Sequence, residues 1–203
     1  INKARCLSMP MNDGLNSEMR ITNINVTIAQ YCTALNRSEK RFESPPLSGL
    51  AHKMVQSVSD AESAISIFRS RISEFGVEDY FVKYYLPLLC KEIAKIPLEG
   101  NAWCALSEDT TTGLPVAAAL YSGWELPLGG PRAALVDDIV VLPEYRGRNI
   151  ATDLQKFAYS ALQKQEVKWV CGNIEKDNPA SIRQSEKLGR RPWSAVIECR
   201  HSS

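Results

Sequence analysis

Two adjacent carboxylates, Asp137 and Asp138, stand at the head of an apolar, β-branched run, Ile139, Val140, Val141 and Leu142. That run reads as a strand buried on both faces. Carrying a carboxylate into such a strand is costly unless it is paired or put to use. The pair is therefore the first candidate for chemistry, with a salt bridge or a strand-end cap as the plainer role. Consecutive strand residues face opposite ways, so at most one of the two is expected to face a given side of the sheet.

A second chemical feature follows at once. Pro143 ends the strand, because it has no N–H to give to a ladder. Tyr145-Arg146-Gly147-Arg148-Asn149 turns the chain, and Ile150, Leu154, Phe157, Ala158, Ala161 and Leu162 then recur at helical spacing. The order strand, polar Gly-containing turn, helix aims the orphan N–H groups of a helix N-terminus at whatever lies beyond the strand, and a pyrophosphate suits that place. Gly147 lets the backbone approach a ligand closely. Arg146 and Arg148 either add positive charge there or form a solvated surface pair.

Residues 141–151, Val-Leu-Pro-Glu-Tyr-Arg-Gly-Arg-Asn-Ile-Ala, resemble the Val-x-Pro-x-Tyr-Arg-Gly-x-Gly-Ile-Gly/Ala signature of the GNAT superfamily of acyl-CoA N-acyltransferases. The departure is Asn149 in place of Gly, and Asn is the usual substitute where the backbone visits positive φ. Residues 178–189, from Asn178 through Ser181, Glu186 and Lys187 to Gly189, are similar to the Asn-x-x-Ser-x-x-x-x-Glu-Lys-x-Gly stretch of the branch that acetylates α-amines of proteins and amino acids. The resemblance covers roughly residues 50–200. It implies an α/β (α+β) fold: a mixed, mostly antiparallel central sheet, helices on both faces, and a splayed central strand pair that receives acyl-CoA.

The resemblance also implies roles. Acetyl-CoA would be held by the backbone of Arg146, Gly147, Arg148, Asn149, Ile150 and Ala151, by the strand edge at Ile139, Val140 and Val141, and by Asn178 from the other side. Asp137 and Asp138 match positions that bind and help deprotonate an amine in the diamine-acetylating branch. Many members carry a Tyr in the last helix as general acid for the leaving thiolate; Ser185 stands at that place, so it would orient a water or merely pack. Helices after the first strand help to wall the acceptor pocket in this family, which makes Tyr84 and Tyr85 candidate substrate contacts, as is Trp124 in the loop before the central strand. For each of the three, core packing is the plainer role.

The elements that must position these groups are legible in outline. Residues 21–31, rich in β-branched types, suggest a strand, and residues 37–49 a linker, so residues 1–49 read as an N-terminal extension and residues 50–203 as the acyltransferase-like domain. Residues 50–58 suggest a first strand, ended by Ser59-Asp60 as a helix cap. Ala61, Ala64, Ile65, Phe68 and Ile72 make a helical stripe stopped by Gly76, and Phe81, Tyr84, Tyr85, Leu88, Leu89 and Ile93 make the broad face of a second helix that Pro87 should kink or break. Residues 102–106 and 116–121 suggest a hairpin, residues 122–132 a loop, and residues 167–172 a strand. Asp177 or Asn178 should cap the last helix, with Pro179 in its first turn. Only about a dozen residues follow Gly189, enough for one strand where the resembled fold closes with two. Residues 21–31 are expected to supply the other, within one chain or exchanged in a homodimer, because an open edge invites association.

Composition narrows the function classes. The 203 residues carry a formal net charge of +1, so nothing global argues for nucleic acid or an anionic membrane. No apolar run reaches membrane-spanning length and no signal pattern opens the chain. The six cysteines form no C-x-x-C pair, and read as small buried hydrophobes of a reducing, cytoplasmic compartment. The activity that the resemblance implies is transfer of an acetyl group from acetyl-CoA to a primary amine of a small molecule, an amino-acid derivative or a protein. Two other classes stay open: a non-catalytic acyl-CoA-binding regulatory module, since the general acid is unassigned, and an acetyltransferase acting on aminoacyl-tRNA, since basic residues crowd the C-terminal third. The latter charges alternate with acids and form no aromatic-basic stripe, which disfavours nucleic acid.

Overall fold

The computed structural model describes residues 27–35, 42, 45–99, 102–125 and 132–198. Strands β1 (Thr27–Ala34), β2 (Leu50–Met54), β3 (Ala102–Asp109), β4 (Pro115–Glu125), β5 (Arg132–Val141), β6 (Trp169–Glu175) and β7 (Arg191–Glu198) form one sheet in the order β2-β3-β4-β5-β6-β1-β7. Among the described strands only β5 and β6 run parallel; the other ladders are antiparallel. Helices α1 (Val58–Arg69), α2 (Arg71–Phe75) and α3 (Leu86–Glu99) precede β3, α4 (Ile150–Lys164) joins β5 to β6, and α5 (Pro179–Lys187) joins β6 to β7. The mixed, mostly antiparallel sheet with helices on both faces is the architecture the resemblance implies.

Alternation along β4 explains the layering. Ala117, Ala119 and Tyr121 join one core with Leu154, Ala158 and Leu162 of α4. Ala118 and Leu120 join a second core with Ala64 and Phe68 of α1 and Leu89 and Ile93 of α3. A strand that is apolar on both faces is one that both faces cover.

Several boundaries differ from the sequence-based expectation. The cap of α1 is Ser57: its hydroxyl accepts from the Asp60 N–H at 3.1 Å while Asp60 accepts from the Ser57 N–H at 3.3 Å, a reciprocal capping box. Ser59-Asp60 therefore lies inside the helix. The second helical run is not broken at Pro87: a π turn at Phe81–Tyr85, whose closing bond runs from the Leu86 N–H to the Phe81 carbonyl, passes directly into α3, with Pro87 in the first turn of that helix. That extra residue turns the following face by about 100°, which leaves Tyr84 and Leu88 exposed while Val82, Leu86, Leu89 and Ile93 are buried. Residues 122–125 belong to β4, opposite Arg132 to Leu135 of β5, rather than to a loop. The end of that expected loop, residues 126–131, lies outside the described residues.

The N-terminal strand joins the sheet within the one chain. β1 pairs antiparallel with β6 on one side and β7 on the other, so it sits inside the sheet and β7 is the edge. Tyr31, Cys32 and Leu35 are buried there. Cys32 and Cys171, direct partners in the β1–β6 register, form a disulfide, which corrects the expectation of small buried hydrophobes for these two. The pairing is across strands, at a sequence separation of 139, and no local spacing announces it. Cys90 and Cys104 are free. A line of polar groups ties β2 and β3 to α4: Ser107 Oγ lies 2.6 Å from His52 Nδ1, and His52 Nε2 lies 2.8 Å from Asp153 Oδ2. Its residue types are those of a hydrolase triad, but Ser107 is fully buried, so the line serves as a brace.

Candidate active site

The central parallel pair opens into a V. β5 and β6 are in register from Ala133↔Trp169 to Val136↔Gly172, and there the pairing stops, although β5 continues to Val141 and β6 to Glu175. Beyond that point the edge of β5 that faces β6 has no strand partner. At the same place β5 carries a bulge against β4: Leu120 faces Asp138 and Tyr121 faces Val136, so Asp137 is the extra residue. A bulge re-aims side chains and breaks the alternation of the pleat. Both carboxylates consequently line one cavity of about 600 Å³ that fills the V, together with Gly172, Asn178, Ser185 and Arg190. The expectation that at most one acid faces a given side fails for this reason.

The two acids are not equivalent. Burial, countered in part by a hydrogen bond from Ser122 Oγ at 3.0 Å and reinforced by the neighbouring Asp138 charge, pushes Asp137 up to about 6. Burial also raises Asp138, but Arg71 opposes it, with Nη2 at 2.9 Å from Asp138 Oδ1. Arg71 in turn lies against the rings of Phe75 and Phe81, 5.6 and 5.1 Å from their centroids. Burial raises the Tyr85 phenol to about 12, and the charges of Asp137 and Asp138 add to the effect, which puts this ring beside the acids. Tyr84 points elsewhere: it is 41 % exposed and its ring centroid is 5.0 Å from that of Tyr80. Trp124 is paired with Ala133 at the far end of β5 from the acids.

The turn after β5 forms the second half of the site. Pro143–Tyr145 makes a short 3-10 turn, Gly147 takes φ 78° and Asn149 takes the left-handed conformation at φ 61°, ψ 15°. Asn149 thus occupies the positive-φ position expected of it. Its side chain does not cap α4 and instead accepts from Lys187 Nζ at 3.3 Å. Among the described residues, the N–H groups of residues 147–151 have no backbone acceptor. They border a cavity of about 350 Å³, lined also by Arg146, Arg183 and Lys187. Unbonded N–H groups at a helix N-terminus, a glycine whose missing Cβ faces open space, and converging cations make a donor set that fits a pyrophosphate.

The arginines of the turn have other engagements. Arg146 Nε donates to the Val141 carbonyl at 2.9 Å and its Nη2 pairs with Glu74, and Arg148 lies over the Tyr145 ring at 5.3 Å. The cations that the sequence reading did not single out, Arg183 and Lys187 on α5, line the turn cavity instead. Their four-residue spacing on a helix is the signal that was available. Arg71 carried no local signal, since only the tertiary fold brings α2 over β5. Of the strand-edge residues, Val140 is buried in the α1–α3 core while Ile139 and Val141 pack on the α4 side. Asn178 caps α5, accepting from the Ser181 N–H at 3.1 Å. Ser185 is fully buried, and its hydroxyl has no partner.

Residues 67–189 match the family model of the acetyltransferase (GNAT) family. No curated protein matches the chain. Among solved structures, a predicted acetyltransferase with acetyl-CoA from Clostridium acetobutylicum is similar with a TM-score of 0.58 at 15 % identity, over 74 % of this chain and 96 % of that one. A ribosomal-protein-alanine N-acetyltransferase from Brucella melitensis biovar Abortus gives 0.54 at 16 % identity, over 75 % and 99 %. An aminoglycoside acetyltransferase from an uncultured soil metagenomic sample, in complex with sisomicin, gives 0.60 at 11 % identity, over 76 % and 97 %. At such identities the structures speak for the fold, and the family model, which spans more than half of the chain, speaks for the lineage. With the opened β5–β6 pair and the turn that follows it, these matches make the chain a member of the GNAT family of acetyltransferases.

Proposed function

We propose that this protein is an N-acyltransferase that moves the acyl group of an acyl-CoA, acetyl-CoA in the first instance, to a primary amine. The observation that carries the reading is the bulge at Asp137, which turns both carboxylates of β5 into the cavity of the V. An acyl-CoA supplies the activated thioester. The N–H groups of residues 147–151 would hold its phosphates, with Arg183 and Lys187 adding positive charge and Gly147 leaving room. The edge of β5 at residues 139–141 has no strand partner and would run along the amide-bearing arm, in competition with the side chains of Asp138, Arg71 and Arg146 that engage the Ile139 N–H, the Ile139 carbonyl and the Val141 carbonyl, and Asn178 lines the same cavity.

Asp137 and Asp138 divide the work on the amine. Asp138, neutralised by Arg71, stays a fixed anchor. Asp137, at about 6, is ionised at neutral pH and close enough to it to accept a proton transiently. An ordinary ammonium titrates near 10, so direct transfer to Asp137 is uphill by roughly 5 kcal/mol. Asp137 therefore binds the cation and passes the proton on through water. Tyr85 beside the pair walls the amine side, and its raised phenol stays protonated as a donor.

The test is turnover with acetyl-CoA over a panel of small amines, amino acids and peptides, alongside calorimetry with CoA. Asp137→Asn should lower turnover about 10²- to 10⁴-fold and leave CoA affinity unchanged, because the carboxylate serves the amine. CoA binding without turnover on any amine would mark a regulatory module instead, and absence of CoA binding would sink the reading.

A further inference from the structure

The closed end of the V holds a cation that has no counter-charge among the described residues. Arg190, between α5 and β7, is 3 % exposed. Its Nη2 donates to Gln155 Oε1 at 3.1 Å, an oxygen that also accepts from the Tyr159 hydroxyl at 3.2 Å. Its Nε has no partner, and among the described residues no carboxylate pairs with it. Asp138 is committed to Arg71 and Asp137 to Ser122. The groups that sense the Arg190 charge are Tyr121 and Tyr159, phenols that burial keeps protonated and therefore neutral. Arginine does not shed its proton inside a protein, so the charge persists, and a buried charge without a partner is strongly unfavourable.

The surroundings are shaped around this guanidinium. A Cβ on Gly172 would lie 2.6 Å from Arg190 Nη1, so any side chain at 172 would displace it. Arg190 lines the same cavity as Asp137 and Asp138. Ser185 lines it too, fully buried with an unpartnered hydroxyl, and the Arg190 N–H donates to the Ser185 carbonyl at 2.9 Å. Two unsatisfied donors, one of them charged, thus border one cavity beside the last β5–β6 pair, Val136↔Gly172. A group with a negative charge and two acceptor oxygens is what satisfies such a set.

We propose that Arg190 and Ser185 form a recognition site for a substrate carboxylate at the closed end of the V, a reading that rests on the acyltransfer function above and narrows its substrate class. The side of the sheet favours one source. Asp138 faces Arg71 and the α1–α3 layer, whereas Arg190 packs with Gln155 of α4, on the side of the turn that fits the phosphates. A carboxylate at the far end of a dicarboxylic acyl group would reach Arg190 from that side. The same chemistry could come from the carboxylate of an amino-acid acceptor, and the experiment separates the two. A site built for a polar group discriminates sharply, because a substrate without that group leaves the buried donors unpaired.

Calorimetry on the full chain would compare CoA, acetyl-CoA and succinyl-CoA, and then glycine and methylamine in the presence of saturating CoA. Succinyl-CoA should bind at least about 10-fold more tightly than acetyl-CoA. Arg190→Met should erase that difference and leave the affinity for CoA itself intact. Arg190→Lys, which keeps the charge and loses the planar fork, should keep only part of it, and it serves as the reporter if the Met variant fails to fold. The unliganded Met variant should melt no lower than the wild type, since an uncompensated charge is removed; an arginine with a purely structural role would lower that temperature. A preference that appears in the glycine–methylamine pair instead, and is lost in Arg190→Met, assigns the carboxylate to the acceptor. The proposal is overturned if CoA binds but neither pair shows a preference for the carboxylate, or if the preference survives in Arg190→Met. Failure of CoA itself to bind is a different result, and sinks the acyltransfer reading.

Discussion

At the scale of single residues, Asp137 couples activity to stability. Its carboxyl titrates at about 6 in the folded protein against an ordinary value of 3.8. Between those values the folded state binds more protons than the unfolded state, so stability falls as pH rises through this window and stays reduced above it. Asp137→Asn should therefore make the protein more stable at pH 7, by up to about 3 kcal/mol, and much less so at pH 4. The same variant should lose the rise in turnover with pH that wild type shows up to a plateau above about 6, where Asp137 is ionised. Chemical denaturation at the two pH values checks the first part and a pH–rate profile the second; a variant less stable than wild type at pH 7 would mean that the Ser122 bond outweighs burial. Gly147 is a different case. At φ 78° with nothing within 4 Å of a would-be Cβ, the demand for glycine comes from the backbone angle and from the ligand side. Gly147→Val should cost about 1–2 kcal/mol in stability through the strained angle and weaken CoA binding by more than that strain accounts for, as calorimetry would reveal.

At the scale of elements, the helices that carry the amine side of the site are set by their ends. The capping box of Ser57 and Asp60 starts α1, and Lys53 supports it by pairing with both Asp60 and Glu108. Ser57→Ala should lower stability by about 1 kcal/mol. Because α1 leads directly into α2, which bears Arg71, the same variant should reduce turnover more than it reduces CoA affinity; an equal loss in both would show that α1 does not act through Arg71. The π turn at Phe81–Tyr85 is the other decisive end. It brings Tyr85 to the acids while turning Tyr84 outward, a choice made by one extra residue ahead of Pro87.

At the scale of the whole molecule, the sheet is completed by a strand from the opposite end of the chain. β7 is hydrogen-bonded only to β1, and β6 to β1 and β5. Removing β1 would strip β7 from the sheet and leave the far edge of β6, next to the candidate site, without a partner. Deleting residues 1–35 should then abolish cooperative unfolding or drive aggregation, seen in light scattering and thermal melts. A truncated protein that stays soluble, monomeric and equally heat-stable would show that the sheet tolerates the gap. The Cys32–Cys171 disulfide closes the same connection covalently at a sequence separation of 139.

The sequence by itself determined the features whose causes are local. The turn after β5 is one: Pro143 stops a strand, Gly147 and Asn149 take positive φ, and an apolar stripe beginning at Ile150 makes a helix, all within a dozen residues. The last helix, capped by Asn178 and opened by Pro179, is another. The capping box at Ser57 was equally local and was misjudged by two residues, because Asp60 serves as the partner of the cap and not as the cap. Tertiary structure decided whatever depends on register. Whether Asp137 and Asp138 share a cavity turns on a bulge against β4, and no pattern within β5 encodes it. Arg71 over Asp138, Arg190 under the V, and β1 between β6 and β7 each join residues far apart in sequence. Such pairings are chosen by the burial of whole faces, and a single side chain's type carries little information about which distant partner that burial will bring to it.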